Sequence, residues 1–419
     1  VNRISVIPLP HAPSSELVFQ SRRPGAALLE GWSDDGAWRI LLPWPEETRT
    51  LSWERACEWQ SWLPTCEPAE SPFPAPFLGG WVGFLSYEAT ACGEAVVPRA
   101  EVPPEPAAFF ALHRSGVVVD PRGQAFLFGR EGELAVSSLA PSLFQPHSPI
   151  VDSFDGTYAS AVERIRTAIA DGDVYQVNLT RSFTLRELCD PAALYRALTG
   201  PHPPRSSAFL RGDGWTIASA SPEVLLRFDR NRGVAESRPI KGTVRRASDD
   251  EAAIATLQAS EKDASEHLMI VDVVRNDFGK LAPPGAVSVP RFRDVQTLEH
   301  VHHLESTVRA EGLHDASLAD VLAALSPAAS ITGAPKRAAV RMIRELEPVP
   351  RGVYCGSIGY LDARGHAELS VAIRTAVATE TEVRYHAGGG IVWDSDPAAE
   401  DDETRAKSAA FLRFAGGRE

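Results

Sequence analysis

Apolar residues recur at Tyr158, Val162, Ile165 and Ile169, the spacing of one helix face, and Gly172 offers a stop just beyond. The next run, VYQVNLTRSF, changes to a period of two. Tyr175, Val177 and Leu179 face one way and Gln176, Asn178 and Thr180 the other, so the run is predicted as a strand. Its second face is wholly polar. Such a strand is either solvated or lines a site. A long helix is predicted over 250–275, ending near Asn276-Asp277 with Gly279 beyond. Another starts near 397, with Asp396 as its cap and Pro397 in its first turn. Strands are predicted at 207–219, 222–228, 353–361, 367–377 and 382–393.

Upstream the pattern is less regular. Proline is dense at 64–76 and 98–106, and PSLFQPHSP at 141–149 is another break. FLGGWVGFLSYEAT, at 77–90, reads as a buried strand and turn, and the alternating segments between 107 and 137 read as antiparallel strands. The chain is therefore divided into an N-terminal region, 1–150, that contributes strands to a common core, and a more regular region, 151–419.

Of the 419 residues, 44% are hydrophobic, enough for a packed core, and no apolar run is long enough to span a membrane. The N-terminal VNRISVIPLP lacks a signal-peptide layout. Five scattered cysteines form no CxxC pair, so reduced thiols in a cytoplasm are the expected state. A formal net charge of -13 argues against nucleic acid as a partner. It leaves room for a small anion in a locally cationic cleft.

Several residues could carry chemistry. Lys241, in ESRPIKGT, is either a solvated turn lysine or a nucleophile in a pocket. Asp263 and Glu266 are three apart on one helix, and Glu400 and Glu403 on another. Each pair shares a helix face, and two such faces meeting would suit a hard cation, Mg²⁺ before Zn²⁺; otherwise they are solvated acids. DSDPAAEDDE has a proline inside and no turn glycine, which excludes an EF-hand. Lys407 is a surface partner of Glu403 or a cation for a substrate carboxylate. SITGAPK and HAGGGIVWD read as glycine turns, either plain strand turns or backbone anion cradles, with a helix after Pro335 and the amides of 333–334 facing a ligand in the second case. In LEHVHHLES, His300 and His302 face one side and His303 the other; one buried, hydrogen-bonded histidine is the plain reading.

FLGGWVGFLSYE, GDVYQVNLTRSF, SPEVLLRF, RPIKGTVRR, SEKDASEHLMIVDVVRND, SITGAPK, YCGSIGYLD, ELSVAIRT, AGGGIVWDSDP and EDDETRAKSAA, in this order, resemble the chorismate-utilising enzymes. That family includes anthranilate synthase large subunits, aminodeoxychorismate synthase component I, and isochorismate and salicylate synthases. The resemblance covers most of 78–413; before that only ALLEGW, at 27–32, is similar. It implies an α+β fold of two large antiparallel sheets packed face to face, with helices outside. Gln176 stands where isochorismate and salicylate synthases carry a lysine base, which argues against water as nucleophile. Lys241 stands where anthranilate synthases usually have alanine, so the PIKGT form is similar to the aminodeoxychorismate synthase type.

The resemblance also implies roles. Glu266 and Glu403 would bind Mg²⁺, with Asp263 and Glu400 beside it. Tyr354 and Arg374 would grip the enolpyruvyl carboxylate. Gly388, Gly390 and Lys407 would complete the anion site, and Gln176, Thr243, His303, Thr332 and Gly333 would line the substrate pocket. Glu223 would be the general acid/base and Lys241 the covalent nucleophile. The expected reaction is chorismate plus ammonia to 4-amino-4-deoxychorismate. No Cys-His-Glu arrangement of a glutaminase is present in the sequence, so ammonia is expected from solution or from a separate glutaminase subunit. Anthranilate synthase component I, and a non-catalytic chorismate-binding regulatory protein, are the alternatives.

Overall fold

The structure, a computed structural model, describes residues 2–33, 38–92, 102–129, 148–246, 249–297 and 301–416. His300, residues 98–101 of the proline stretch, residues 130–137 of the alternating segments and residues 141–147 lie outside the described residues. Alternating side chains build two large antiparallel sheets. The larger has 12 strands, in the order Ile150–Asp152, Gln176–Leu185, Val383–Ile391, Thr375–Thr379, Trp215–Ala220, Ser207–Arg211, Ala27–Glu30, Arg39–Leu42, Gly116–Val119, Ala125–Phe128 and Val6–Pro8, with Gly333–Ala334 added beside Gln176–Leu185. The other has 10, in the order Ile240–Arg245, Val301–Ala310, Val234–Arg238, Val224–Asp229, His366–Val371, Ser357–Asp362, Gly80–Leu85, Ala108–His113 and Glu47–Leu51, with Val287–Thr297 paired to Val301–Ala310. Strands from before residue 130 complete both sheets, hydrogen-bonding directly to strands from after 200.

The sheets meet face to face. Leu29, Ile40 and Ile217 of one interlock with Val82, Phe84, Phe109 and Ile358 of the other in one buried cluster. Helices cover the outer faces. Tyr158–Ala170, Glu261–Gly279, Leu318–Leu325 and Lys336–Leu346 bury their apolar sides in a second cluster. Pro191–Thr199 and Ala409–Phe414 seal a third against Phe183 and Phe209. Each fully buried leucine or phenylalanine contributes roughly 2 kcal/mol, so these three clusters supply most of the driving force. Among the described residues no helix is long and apolar enough to cross a membrane.

Some elements differ from the sequence expectation. The helix over 250–275 is two helices, Asp250–Ala259 and Glu261–Gly279. Ser260 breaks it with an extended backbone, and its side chain accepts from the Asp263 amide as the cap of the second helix. The 207–219 and 367–377 segments each fold as two strands. Lys241, read from the sequence as either on a turn or in a pocket, lies in the strand Ile240–Arg245.

The expectation of five reduced thiols also gives way. Cys57 and Cys92 are joined by a disulfide, while Cys66, Cys189 and Cys355 are free. The two bonded cysteines have no diagnostic spacing; the tertiary fold brings their Cα atoms to 5.4 Å. The bridge closes a loop spanning 35 positions. Loop entropy for that length corresponds to about 4 kcal/mol at most. Denaturant unfolding of the oxidised chain, against the reduced chain or Cys57→Ser, is expected to show a lower midpoint without the bridge.

Candidate active site

The polar face predicted for the Gln176–Leu185 strand is buried, not solvated: Gln176, Asn178 and Thr180 are all inside. The strand pairs with Val383–Ile391, setting Asn178 opposite Gly390, Leu179 opposite Gly389 and Thr180 opposite Gly388. The glycine run thus lies in the strand expected over 382–393 and not in a turn. Its glycines are needed for space. A Cβ on Gly390 would lie 2.6 Å from Gln176 Nε2 and 2.9 Å from Lys241 Nζ, and one on Gly388 would lie 2.6 Å from Thr180 Oγ1. Among the described residues neither amide atom of Gln176 has a hydrogen-bond partner. Buried amides are otherwise almost always hydrogen-bonded, which marks Gln176 as a candidate binding group.

Lys241 is brought to the same point from the other sheet. Its strand pairs with Val301–Ala310, and Gly242, at φ +81°, shifts the register between Lys241 and Thr243. The Lys241 side chain is only 16% exposed, and its Nζ donates to Glu266 Oε2 at 3.3 Å. Behind it, His267 Nδ1 approaches the Lys241 carbonyl at 3.4 Å and His267 Nε2 lies 2.6 Å from the Ser306 hydroxyl. Burial holds the His267 imidazole down to about 4, so it is a neutral brace. The solvated-lysine reading is therefore removed, while its role in chemistry rests on further argument.

Glu223 is buried where Val224–Asp229 begins. Desolvation pushes its carboxyl up to about 7, against the lowering effects of a Ser330 hydrogen bond and the Lys241 charge; Glu305 adds to the rise. The Ser330 hydroxyl donates to Glu223 Oε1 at 2.6 Å. A carboxyl poised near neutrality is suited to giving and taking a proton. His303, opposite Thr243 in the sheet, is buried and held down to about 4, first by desolvation and then by the Arg374 and Arg205 charges. It is a neutral hydrogen-bonding group. Thr243 is exposed.

Tyr354 is buried and stacks on His386 at 5.2 Å, and burial pushes its hydroxyl well above the ordinary range. Its neighbour Cys355 and the exposed Arg374 both take the left-handed backbone region, at φ +65° and +50°. That conformation costs a side-chain-bearing residue about 1 kcal/mol or more and clusters at ligand sites. Thr332 is buried, and its hydroxyl returns to the Ala328 carbonyl at 2.8 Å instead of facing outward. Gly333 and Ala334 pair with Val177 and Gln176. SITGAPK is thus a short turn, a two-residue strand and then the Lys336–Leu346 helix.

The Glu400 and Glu403 pair lies against the glycine strand, and the Asp263 and Glu266 pair lies against Gly242 and Lys241. Glu400 is buried, accepts from the Ser395 hydroxyl at 2.7 Å, and has its other oxygen 2.9 Å from where a Gly389 Cβ would be; Glu403 is 3.9 Å from that point. Lys407 Nζ bridges Glu403 Oε1 at 2.6 Å and the Gly388 carbonyl at 3.0 Å. Glu266 holds Lys241, and Asp263 packs 3.2 Å from the Gly242 Cβ position. Among the described residues no three His, Cys, Asp or Glu side chains are gathered closely enough to hold a metal ion. The donors are all carboxylates, the right chemistry for a hard dication, and a lysine ammonium rests on each of Glu266 and Glu403.

Sequence reasoning missed three residues in this neighbourhood. Ser330 is one. The others form a part-buried ion pair, Arg205 to Glu305 at 3.1 Å, between the surroundings of Glu223 and His303.

Residues 32–413 match the family described as chorismate binding enzyme. The chain is 37% identical to aminodeoxychorismate synthase component 1 of Klebsiella aerogenes, over 84% of this chain and 80% of that protein. It is 35% identical to anthranilate synthase component 1 of Saccharolobus solfataricus, over 82% of each. An aminodeoxychorismate synthase of Streptomyces pristinaespiralis is 45% identical over 59% of this chain, but the match spans only 34% of that relative's length. Anthranilate synthase component I from Streptococcus pneumoniae TIGR4 superposes with a TM-score of 0.72 at 25% identity, covering 97% of this chain and 92% of the other. The menaquinone-specific isochorismate synthase of Escherichia coli shares the fold, with a TM-score of 0.75 at 21% identity over 99% and 94% of the two chains. The family match runs through the strands that present Gln176, Glu223, Lys241 and Gly390, and the chain belongs to the chorismate-binding enzymes.

Proposed function

We propose that the chain aminates chorismate to 4-amino-4-deoxychorismate, acting as an aminodeoxychorismate synthase component I. The observation that carries this reading is Lys241: a largely buried amine beside the Gln176 amide, which has no hydrogen-bond partner among the described residues, where Gly390 leaves room. Lys241 attacks C2 of the ring while Glu223 gives its proton to the departing C4 hydroxyl, so a C–N bond forms, the C–O bond breaks and water leaves. Ammonia then attacks C4, and the bond from C2 to Lys241 breaks. Two allylic displacements restore the configuration at C4. Gln176 faces the reacting nitrogen with one donor and one acceptor atom. Arg374 and Tyr354 orient the enolpyruvyl carboxylate, and Lys407 adds a cation at the glycine strand.

Mg²⁺ held by Glu266 and Glu403, with Asp263 and Glu400 alongside, would supply charge neutralisation for the ring carboxylate. Lys241 contacts one oxygen of Glu266, and Lys407 one oxygen of Glu403. Ammonia comes from a separate glutaminase subunit or directly from solution.

The test is product identification. With chorismate, ammonium and Mg²⁺, mass spectrometry should find aminodeoxychorismate, turned to 4-aminobenzoate by an added lyase, and turnover should stop with a chelator. Fluorescent anthranilate as the main product would instead support the second reading, anthranilate synthase component I, the name borne by the Saccharolobus solfataricus relative. No turnover with either nitrogen source would sink both.

A further inference from the structure

In the SITGAPK segment the side chain that reaches Glu223 is Ser330. Ser330 sits in the short Ala329–Ile331 turn, and its hydroxyl reaches Glu223 Oε1 at 2.6 Å. Four restraints hold the turn. Arg351 Nη1 donates to the Ile331 carbonyl at 2.7 Å. The Thr332 hydroxyl donates to the Ala328 carbonyl at 2.8 Å. The Asn178 amide donates to the Thr332 carbonyl at 2.8 Å, and the Tyr175 amide to the Ala334 carbonyl at 2.7 Å. Arg351 is itself buried and locked onto Glu347 at 2.7 Å. The turn therefore belongs to the larger sheet, whereas Glu223 belongs to the other. The Ser330–Glu223 bond spans the two.

We propose that Ser330 is a positioning residue for Glu223: its hydroxyl occupies Oε1, so the proton that Glu223 transfers is carried on Oε2. This rests on the reading of Glu223 as proton donor. An oxygen that already accepts a short hydrogen bond is a poor place for a second hydrogen. Protonation there would force the Ser330 hydroxyl to turn round inside a turn that is pinned on both sides. With the proton on Oε2 both groups keep their bond in either protonation state. The same bond favours the charged form of Glu223 and works against burial, keeping the carboxyl within reach of neutral pH.

Removing the hydroxyl should therefore move Glu223 upward. In a difference infrared titration, the carboxylic-acid band of Glu223 is the one missing from Glu223→Gln. In Ser330→Ala that band should persist to a pH about one unit higher than in wild type, and Ser330→Thr should restore it. With chorismate and ammonium, the alkaline limb of kcat should shift the same way. kcat should fall about tenfold and KM stay within about twofold. Both proteins see the same ammonia ionisation, so the difference belongs to the protein. If Ser330→Ala does not fold, Ser330→Cys keeps the volume with a weak donor and should shift the band in the same direction. An unmoved band in a folded variant, or a change confined to KM, overturns the proposal. Should wild type not aminate chorismate, the functional reading fails, and the infrared titration still decides the role of Ser330.

Discussion

Replacing Lys241 with alanine is expected to abolish the covalent adduct with chorismate and to cut amination on the order of a thousandfold or more. The expectation follows from where the amine sits. A lysine at the surface would keep its ammonium in water, but this one is 16% exposed and touches a carboxylate that is itself only 11% exposed. Attack needs the lone pair, so the bond to Glu266 must open before the reaction begins. The competing explanation is that Lys241 is only the counter-ion of Glu266, shielding that acid until a cation arrives. Lys241→Arg separates the two. Arginine keeps a positive charge and can reach a carboxylate, but it does not lose its proton in proteins. Under the nucleophile reading both variants are inactive, and intact-protein mass spectra after quenching show the adduct only in wild type. Under the counter-ion reading the arginine variant retains most of the turnover. Substantial activity in Lys241→Arg would remove the covalent step.

Much of this site was legible from residue patterns, and the parts that were not have identifiable causes. The alternation in VYQVNLTRSF placed Gln176, Asn178 and Thr180 on one face, and the structure buries that face. What the pattern left open was water or ligand on the other side of it. Burial removes the solvated reading, and in the paired strand Gly388 and Gly390 make room for neighbouring polar atoms. Those same glycines gave their own segment two readings: it fell within the strand expected over 382–393, yet three residues without side chains show no alternation, so AGGGI also read as a turn. ESRPIKGT hid a strand in a similar way, since Pro239 and Gly242 are turn signals, and a register shift at Gly242 is what lets the strand continue. The split at Ser260 was present in the sequence as a serine with an acid three residues on, a helix-start signature outweighed by the apolar pattern. Ser330, the Arg205–Glu305 pair and the Cys57–Cys92 bridge are contacts between distant segments. No local period encodes them.

Glu223→Gln is expected to lower kcat by about a hundred- to ten-thousandfold, the range for loss of a positioned proton donor. The amide oxygen can still accept the Ser330 hydrogen bond and the shape is kept, so KM should change little. The substitution also has a signature that requires no substrate. Glu223 titrates near 7 in the folded protein because burial disfavours its charge, against 4.5 for an ordinary glutamate. Between those values the folded chain holds a proton that the unfolded chain has released. Its contribution to stability is therefore full below about pH 4.5 and is lost as pH rises toward 7, by about 3 kcal/mol in total. Glutamine is neutral throughout and lacks this slope. Urea unfolding of both proteins from pH 5 to pH 8 should show the variant gaining on wild type as pH rises, then holding a constant lead. Parallel curves would mean that Glu223 is ionised in the fold and cannot serve as the acid. A widening gap together with unchanged kcat would mean that it is a buried acid with no part in the reaction. Only loss of turnover together with loss of the slope is consistent with a carboxyl whose costly burial keeps the transferable proton in place at neutral pH.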